Sequence, residues 1–125
     1  SSYKFRVILV RYPFTDQSTF KVRPAIIINE KQEDTDNFFI IPLTSKTSNL
    51  KKGEFVLSNY KKAGLHISSA VKRGIYTINK ATIIKELKRL AGKDVEKLSQ
   101  STLLVAIITR KLKQYNRQYP VYSEQ

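Results

Sequence analysis

Three short apolar runs, each cut off by proline or a polar turn, constrain this chain more than any other feature. Val7-Ile8-Leu9-Val10 ends at Tyr12-Pro13, Ala25-Ile26-Ile27-Ile28-Asn29 follows Arg23-Pro24, and Asn37-Phe38-Phe39-Ile40-Ile41-Pro42-Leu43 stops near Thr44-Ser45. Runs this short and this rich in β-branched and aromatic residues read as buried strands rather than helices. Pro24 fits only at the start of its strand, because it has no N–H to give to a ladder. Phe14 to Thr19 reads as a polar loop in which Asp16 can close an Asx-turn, and Glu30 to Asp36 as an acidic turn.

The pattern continues with a polar loop over Lys46–Lys52, a fourth strand at Glu54–Leu57 and a turn at Ala63-Gly64-Leu65. Two further short strands are expected around Ser69–Lys72 and Gly74–Ile78. Thr82–Leu90 is ambiguous: Ile83, Ile84, Leu87 and Leu90 recur at helical spacing, yet the segment is short and follows a run of strands. After Gly92, Asp94 is placed to cap one long helix whose apolar face is Val95, Leu98, Leu103, Leu104, Ile107, Ile108 and Leu112. Arg110, Lys111 and Lys113 suit its negative end. Many short strands with one terminal helix predict a mainly β (α+β) domain, a small barrel or strongly bent antiparallel sheet with a C-terminal helix packed on it. No repeat or linker divides residues 1–125, which form a single domain with a polar, Tyr-rich tail over 113–125.

Composition narrows the chemistry. The 125 residues hold 23 Lys and Arg against 10 Asp and Glu, a net charge of +13, and residues 37–93 alone hold twelve bases against Glu54 and Glu86. A field this one-sided attracts polyanions, either nucleic acid or an acidic protein. With 41% hydrophobic residues the chain can build a core, so it is not a basic disordered tail. There is no cysteine and one histidine, which leaves no disulfide framework, no thiolate nucleophile and no His pair within a subunit. No apolar run is long enough to span a membrane and none opens the chain as a signal peptide, so the expected compartment is the cytoplasm. Ser1-Ser2 stand where an initiator Met is expected, a sign of processing or of a cloning remnant.

Four ordered segments resemble the PemK/MazF-like toxins of type II toxin–antitoxin systems. They are Val7 to Asp16 followed by Lys21-Val22-Arg23-Pro24-Ala25-Ile26-Ile27-Ile28; Ile41-Pro42-Leu43-Thr44-Ser45; Ala63-Gly64-Leu65; and Ser69-Ala70-Val71-Lys72. The likeness runs over residues 4–112. It implies an SH3-like barrel, a homodimer, sequence-selective cleavage of single-stranded RNA without metal or other cofactor, an acidic antitoxin as partner, and DNA binding in company with that antitoxin. It also implies that Thr82–Leu90 is a strand. The family's catalytic Arg and Thr fall on Arg23 and Thr44. Where the family usually opens its first strand with Gly-Asp, this chain has Phe5-Arg6, which alters a turn and replaces a carboxylate expected near the site.

The residues themselves support that chemistry. Cutting RNA without metal requires a deprotonated 2′-OH, a stabilised phosphorane and a protonated leaving oxygen. Arg23 offers a planar fork matched to phosphate oxygens, and its pKa makes it a clamp rather than a free base. Thr44 can donate its hydroxyl to the same phosphate. Asp16 and Ser45 are candidate orienting or catalytic groups, and Tyr12, Phe14, Lys21, Lys46, Ser69, Lys72 and Arg73 are candidate RNA contacts, the aromatics by stacking on bases. Each has a plainer reading: Arg23 as a solvated residue before a strand, Thr44-Ser45 as turn chemistry, Asp16 as an Asx-turn acceptor, Tyr12 and Phe14 as core. His66, in a Gly-containing loop, reads as a surface residue, and Tyr115, Tyr119 and Tyr122 as tail packing or a partner contact. Two rival functions remain at this level, a protein-binding poison like the gyrase-inhibiting toxins and a non-catalytic RNA-binding module.

Overall fold

A computed structural model describes residues 3–12, 21–30 and 35–118, with the backbone alone at 12 and 102–108. Seven strands form one antiparallel sheet: β1 (Arg6–Tyr12), β2 (Lys21–Ile27), β3 (Asn37–Thr44), β4 (Phe55–Val56), β5 (Ala70–Val71), β6 (Tyr76–Asn79) and β7 (Ile83–Arg89). Two helices follow, α1 (Gly92–Ser99) and α2 (Thr102–Gln118). The spatial order is β4-β5-β3-β2-β1-β7, with β6 also on β3. The mainly β architecture expected from the sequence is what the chain adopts.

The uninterrupted apolar runs exist because the central strands are buried on both faces. One cluster takes Val7, Ile26, Ile28, Ile41 and Leu43 with Phe55, Leu57, Leu65, Val71 and Leu98. The other takes the alternate residues Ile8, Val10, Ala25, Ile27, Phe38 and Ile40 together with Ile78. Side chains alternate across a strand, so burial of both faces removes the polar positions that would otherwise interrupt the run.

The bend in the sheet centres on β3. Asn37–Ile40 pairs with β6, whereas Leu43 and Thr44 pair with β5. Pro42 lies between these stretches, and a residue without an N–H suits the point at which the strand changes partner. Its carbonyl accepts the N–H of Lys72 at 3.0 Å. Pro24 corrects the expected start of the second strand: β2 begins three residues earlier, at Lys21, and Pro24 lies within it. It is tolerated because pairing to β3 begins only at Ala25.

Thr82–Leu90 resolves as a strand, with β7 covering residues 83–89 antiparallel to β1. Two register shifts in that pairing explain its helical spacing, since each displaces the inward face and puts Ile83 against one cluster and Leu87 against the other.

The single long helix is corrected to two. The break falls at Gln100-Ser101, where the Ser99 hydroxyl donates to the Val95 carbonyl and the Ser101 hydroxyl to that of Leu98; such local bonds compete with the helical ladder. Asp94 is not the cap either. Ala91 holds that position without a side-chain bond, and Asp94 sits in the first turn. α2 continues to Gln118, so Lys113 to Gln118 of the segment read as tail are helical, while Tyr119 and Tyr122 lie outside the described residues.

Phe5 has a φ of 67°, in the left-handed region of backbone that favours glycine. Its N–H donates to the Ile27 carbonyl, its carbonyl accepts from Leu90, and its ring is buried in the first cluster. Arg6 turns toward β7, donating to the Leu87 carbonyl at 3.0 Å and approaching Glu86 at 3.7 Å.

Candidate functional site

The site arises where β2 and β3 part. β2 is exposed over Lys21, Val22 and Arg23 and becomes buried only from Ala25. The last paired residues there are Ala25 and Pro42, with Arg23 two places beyond on β2 and Thr44 two places beyond on β3. Both line one open groove of about 470 Å³ with Lys21, Ser45, Ile67 and Ser69. Thr44 and Ser45 also line a second hollow of about 560 Å³ that carries Lys46, Lys51, Lys72 and Glu54. The two hollows share Thr44 and Ser45, so a trough runs from Lys21 and Arg23 past the Thr-Ser corner to three lysines.

Thr44 combines turn chemistry with a donor. Its Oγ1 accepts the Lys46 N–H at 3.1 Å, which orients the hydroxyl and leaves its proton for an outside acceptor. Arg23 is exposed at the groove's mouth, and Ser45 and Lys46 are exposed beside Thr44.

Ser69 is placed differently from a simple RNA contact. It is 1% exposed and donates its hydroxyl to the Ile67 carbonyl at 3.0 Å, which fixes the wall of the groove. Arg73 is exposed, but its described hydrogen bond is from its backbone N–H to Glu54 at 3.3 Å. Asp16 and Phe14 lie outside the described residues; Tyr12 ends β1 opposite Lys21, its side chain undescribed. His66 is exposed in the loop before β5.

Three features of the site escaped the sequence reading. Val22 and Ile67 are 51% and 60% exposed, giving the groove an apolar rim; no local pattern marks Ile67, and Val22 shows only as a residue just outside the buried run. Glu54 is the third. Its carboxylate accepts the Lys51 N–H at 2.7 Å, and this bond above all holds its pKa below the ordinary value against the opposing effect of burial, with the Arg73 N–H and the nearby Lys51 and Lys72 charges adding to it. Its place three residues after Lys51 in a Lys-Lys-Gly-Glu turn was the available signal.

Among the described residues no three His, Cys, Asp or Glu side chains gather as a metal site, and no helix is long and apolar enough to cross a membrane. The arrangement presents cations and hydroxyl donors in an open trough, suited to an extended anion. No curated protein sequence matches the chain. A family model described as "PemK-like, MazF-like toxin of type II toxin-antitoxin system" matches residues 3–105. The chain belongs to the PemK-like, MazF-like toxins of type II toxin–antitoxin systems.

Proposed function

We propose that this toxin is an endoribonuclease that cuts single-stranded RNA at the Arg23–Thr44 groove. The observation that carries the reading is that Arg23 and Thr44, an exposed cation and an oriented hydroxyl from neighbouring strands, line one open groove. In the reaction the 2′-oxygen loses its proton and bonds to phosphorus, while the bond to the 5′-oxygen breaks and that oxygen is protonated. Arg23 holds the scissile phosphate through two N–H donors and balances the charge that builds on the phosphorane. Thr44 donates to a second phosphate oxygen. Lys46, Lys51 and Lys72 attract the continuing backbone, and the apolar rim of Val22 and Ile67 offers a surface for bases. The same basic trough suits an acidic antitoxin as competitor, and the family likeness carries a homodimeric state with it.

The test is cleavage of mixed RNA in EDTA by the wild type, Arg23→Ala and Thr44→Ala. Cleavage that vanishes in both variants supports the proposal. Cleavage that survives in both removes these residues from the site, and a wild type that never cuts returns the chain to a binding role.

A further inference from the structure

The exposed end of α2 carries a feature that the groove does not use. Arg110, Lys113 and Arg117 recur at intervals of three and four residues, and with Thr109 and Gln114 they line one shallow hollow of about 510 Å³. At 3.6 residues per turn these five side chains fall on one side of the helix, whereas exposed Leu112 and Tyr115 fall on the other. α2 holds no Asp or Glu, and among the described residues no carboxylate pairs with Arg110, Lys113 or Arg117. The stripe lies beyond residue 105, where the match to the family ends.

Lys111 ties this helix to the sheet. Its Nζ sits 4.7 Å from the centroid of the Phe39 ring on β3, a cation–π contact. Phe39 is five residues before Thr44 on that strand, about 17 Å along it. Lys111 thus sets the helix against β3, the strand whose other end carries Thr44.

We propose that Arg110, Lys113 and Arg117 form a second, sequence-independent site for the phosphate backbone of single-stranded RNA, engaging the strand outside the segment held in the groove. Two guanidinium forks and an ammonium along about 10 Å of helix suit successive phosphates, and Thr109 and Gln114 add neutral hydrogen-bonding groups. An acidic protein segment is the weaker fit, because the helix's exposed apolar anchors point away from the stripe. The inference rests on RNA being the substrate of the groove.

The experiment compares the full-length wild type with an Arg110→Ala, Lys113→Ala, Arg117→Ala triple variant. Alanine favours helix, and circular dichroism checks that the fold is kept. Binding is measured against salt, using 2′-O-methyl RNA that cannot be cut, in a short form that fills only the groove and a long form extended on both sides. The expected result is a loss of about tenfold or more for the long RNA at low salt, a log–log slope shallower by about 2, and an unchanged short RNA. An unchanged long RNA, or equal losses for both forms, overturns the second site. So does a triple variant that keeps its RNA slope but loses a glutamate-rich peptide, which would make the stripe a protein dock. If the wild type binds neither RNA, the groove's function fails as well; if it binds and cuts RNA while the triple variant matches it, only the stripe's role fails.

Discussion

The Asp94 carboxylate accepts the backbone N–H of Ser58 at 2.7 Å, joining the first turn of α1 to a loop 36 residues earlier in the chain. It also accepts the N–H of Asn59 at 3.2 Å while itself only 1% exposed. That loop leads into Leu65, Ile67 and Ser69, the wall facing Arg23. Asp94→Ala leaves two backbone donors without their carboxylate and is expected to lower stability by about 2–3 kcal/mol. Asp94→Asn, which keeps one acceptor, loses about half as much. Thermal unfolding followed by circular dichroism checks both, and an Asp94→Ala midpoint equal to wild type would rule out the tether.

At Phe5 a bulky residue occupies left-handed backbone, at φ 67°, with its ring buried. Removing the ring in Phe5→Ala is expected to cost about 3–4 kcal/mol. Phe5→Gly loses the same ring but also relieves the backbone, worth about 1 kcal/mol. The smaller residue is therefore expected to be the more stable of the two variants. Denaturant midpoints decide it, and the opposite order would mean that Phe5 carries no such strain.

Arg6 stands where the resemblance puts a carboxylate, but Arg23 pairs with Val10, four residues further along β1 and about 13 Å away. Restoring the acid as Arg6→Asp removes the bond to the Leu87 carbonyl and places a negative charge near Glu86. The expected outcome is a loss of about 1 kcal/mol and no gain in RNA cleavage. A severalfold rise in cleavage rate would show that a carboxylate at this position serves the site.

How much of this could be read beforehand depended on the distance over which each residue acts. β1, β2 and β3 were legible because double-sided burial is written in consecutive residues. Arg23-Pro24 and Thr44-Ser45 could be singled out through their likeness to known toxins, but their meeting in one groove depends on the β2–β3 pairing and on where it stops. Asp94 read as a cap because its true partners are 35 and 36 residues away. β7 was ambiguous by spacing alone because its bulges are produced by the pairing with β1, and the break between α1 and α2 rests on two serine hydroxyls that pattern counting treats as ordinary polar positions.

Glu54 gives a pH signature. Bonds from the Lys51 and Arg73 N–H groups hold its pKa below the ordinary carboxylate value of 4.5. A carboxyl with a depressed folded-state pKa adds stability above its unfolded value and loses it as the pH falls through the folded one. Glu54→Gln is therefore expected to be less stable than wild type near neutral pH by a margin that holds steady down to about pH 5 and closes in stronger acid. Unfolding midpoints of both proteins across that range check it; a margin independent of pH would exclude the carboxylate charge as its source.

Thr44 separates a hydroxyl's chemistry from its shape. Its Oγ1 accepts from the Lys46 N–H, so the donor proton is available only if that oxygen is kept in place. Thr44→Ser keeps the oxygen and is expected to retain cleavage within about tenfold. Thr44→Val preserves the volume but removes both the acceptor for Lys46 and the donor for phosphate, and should lower the cleavage rate by about 10²–10³. RNA affinity should fall far less than rate in Thr44→Val, because the lysines of the trough are untouched and the donor acts mainly where charge builds on the phosphorane. Single-turnover cleavage and binding measured side by side test the split. Equal losses in affinity and rate would make Thr44 a binding group with no special part in the cut.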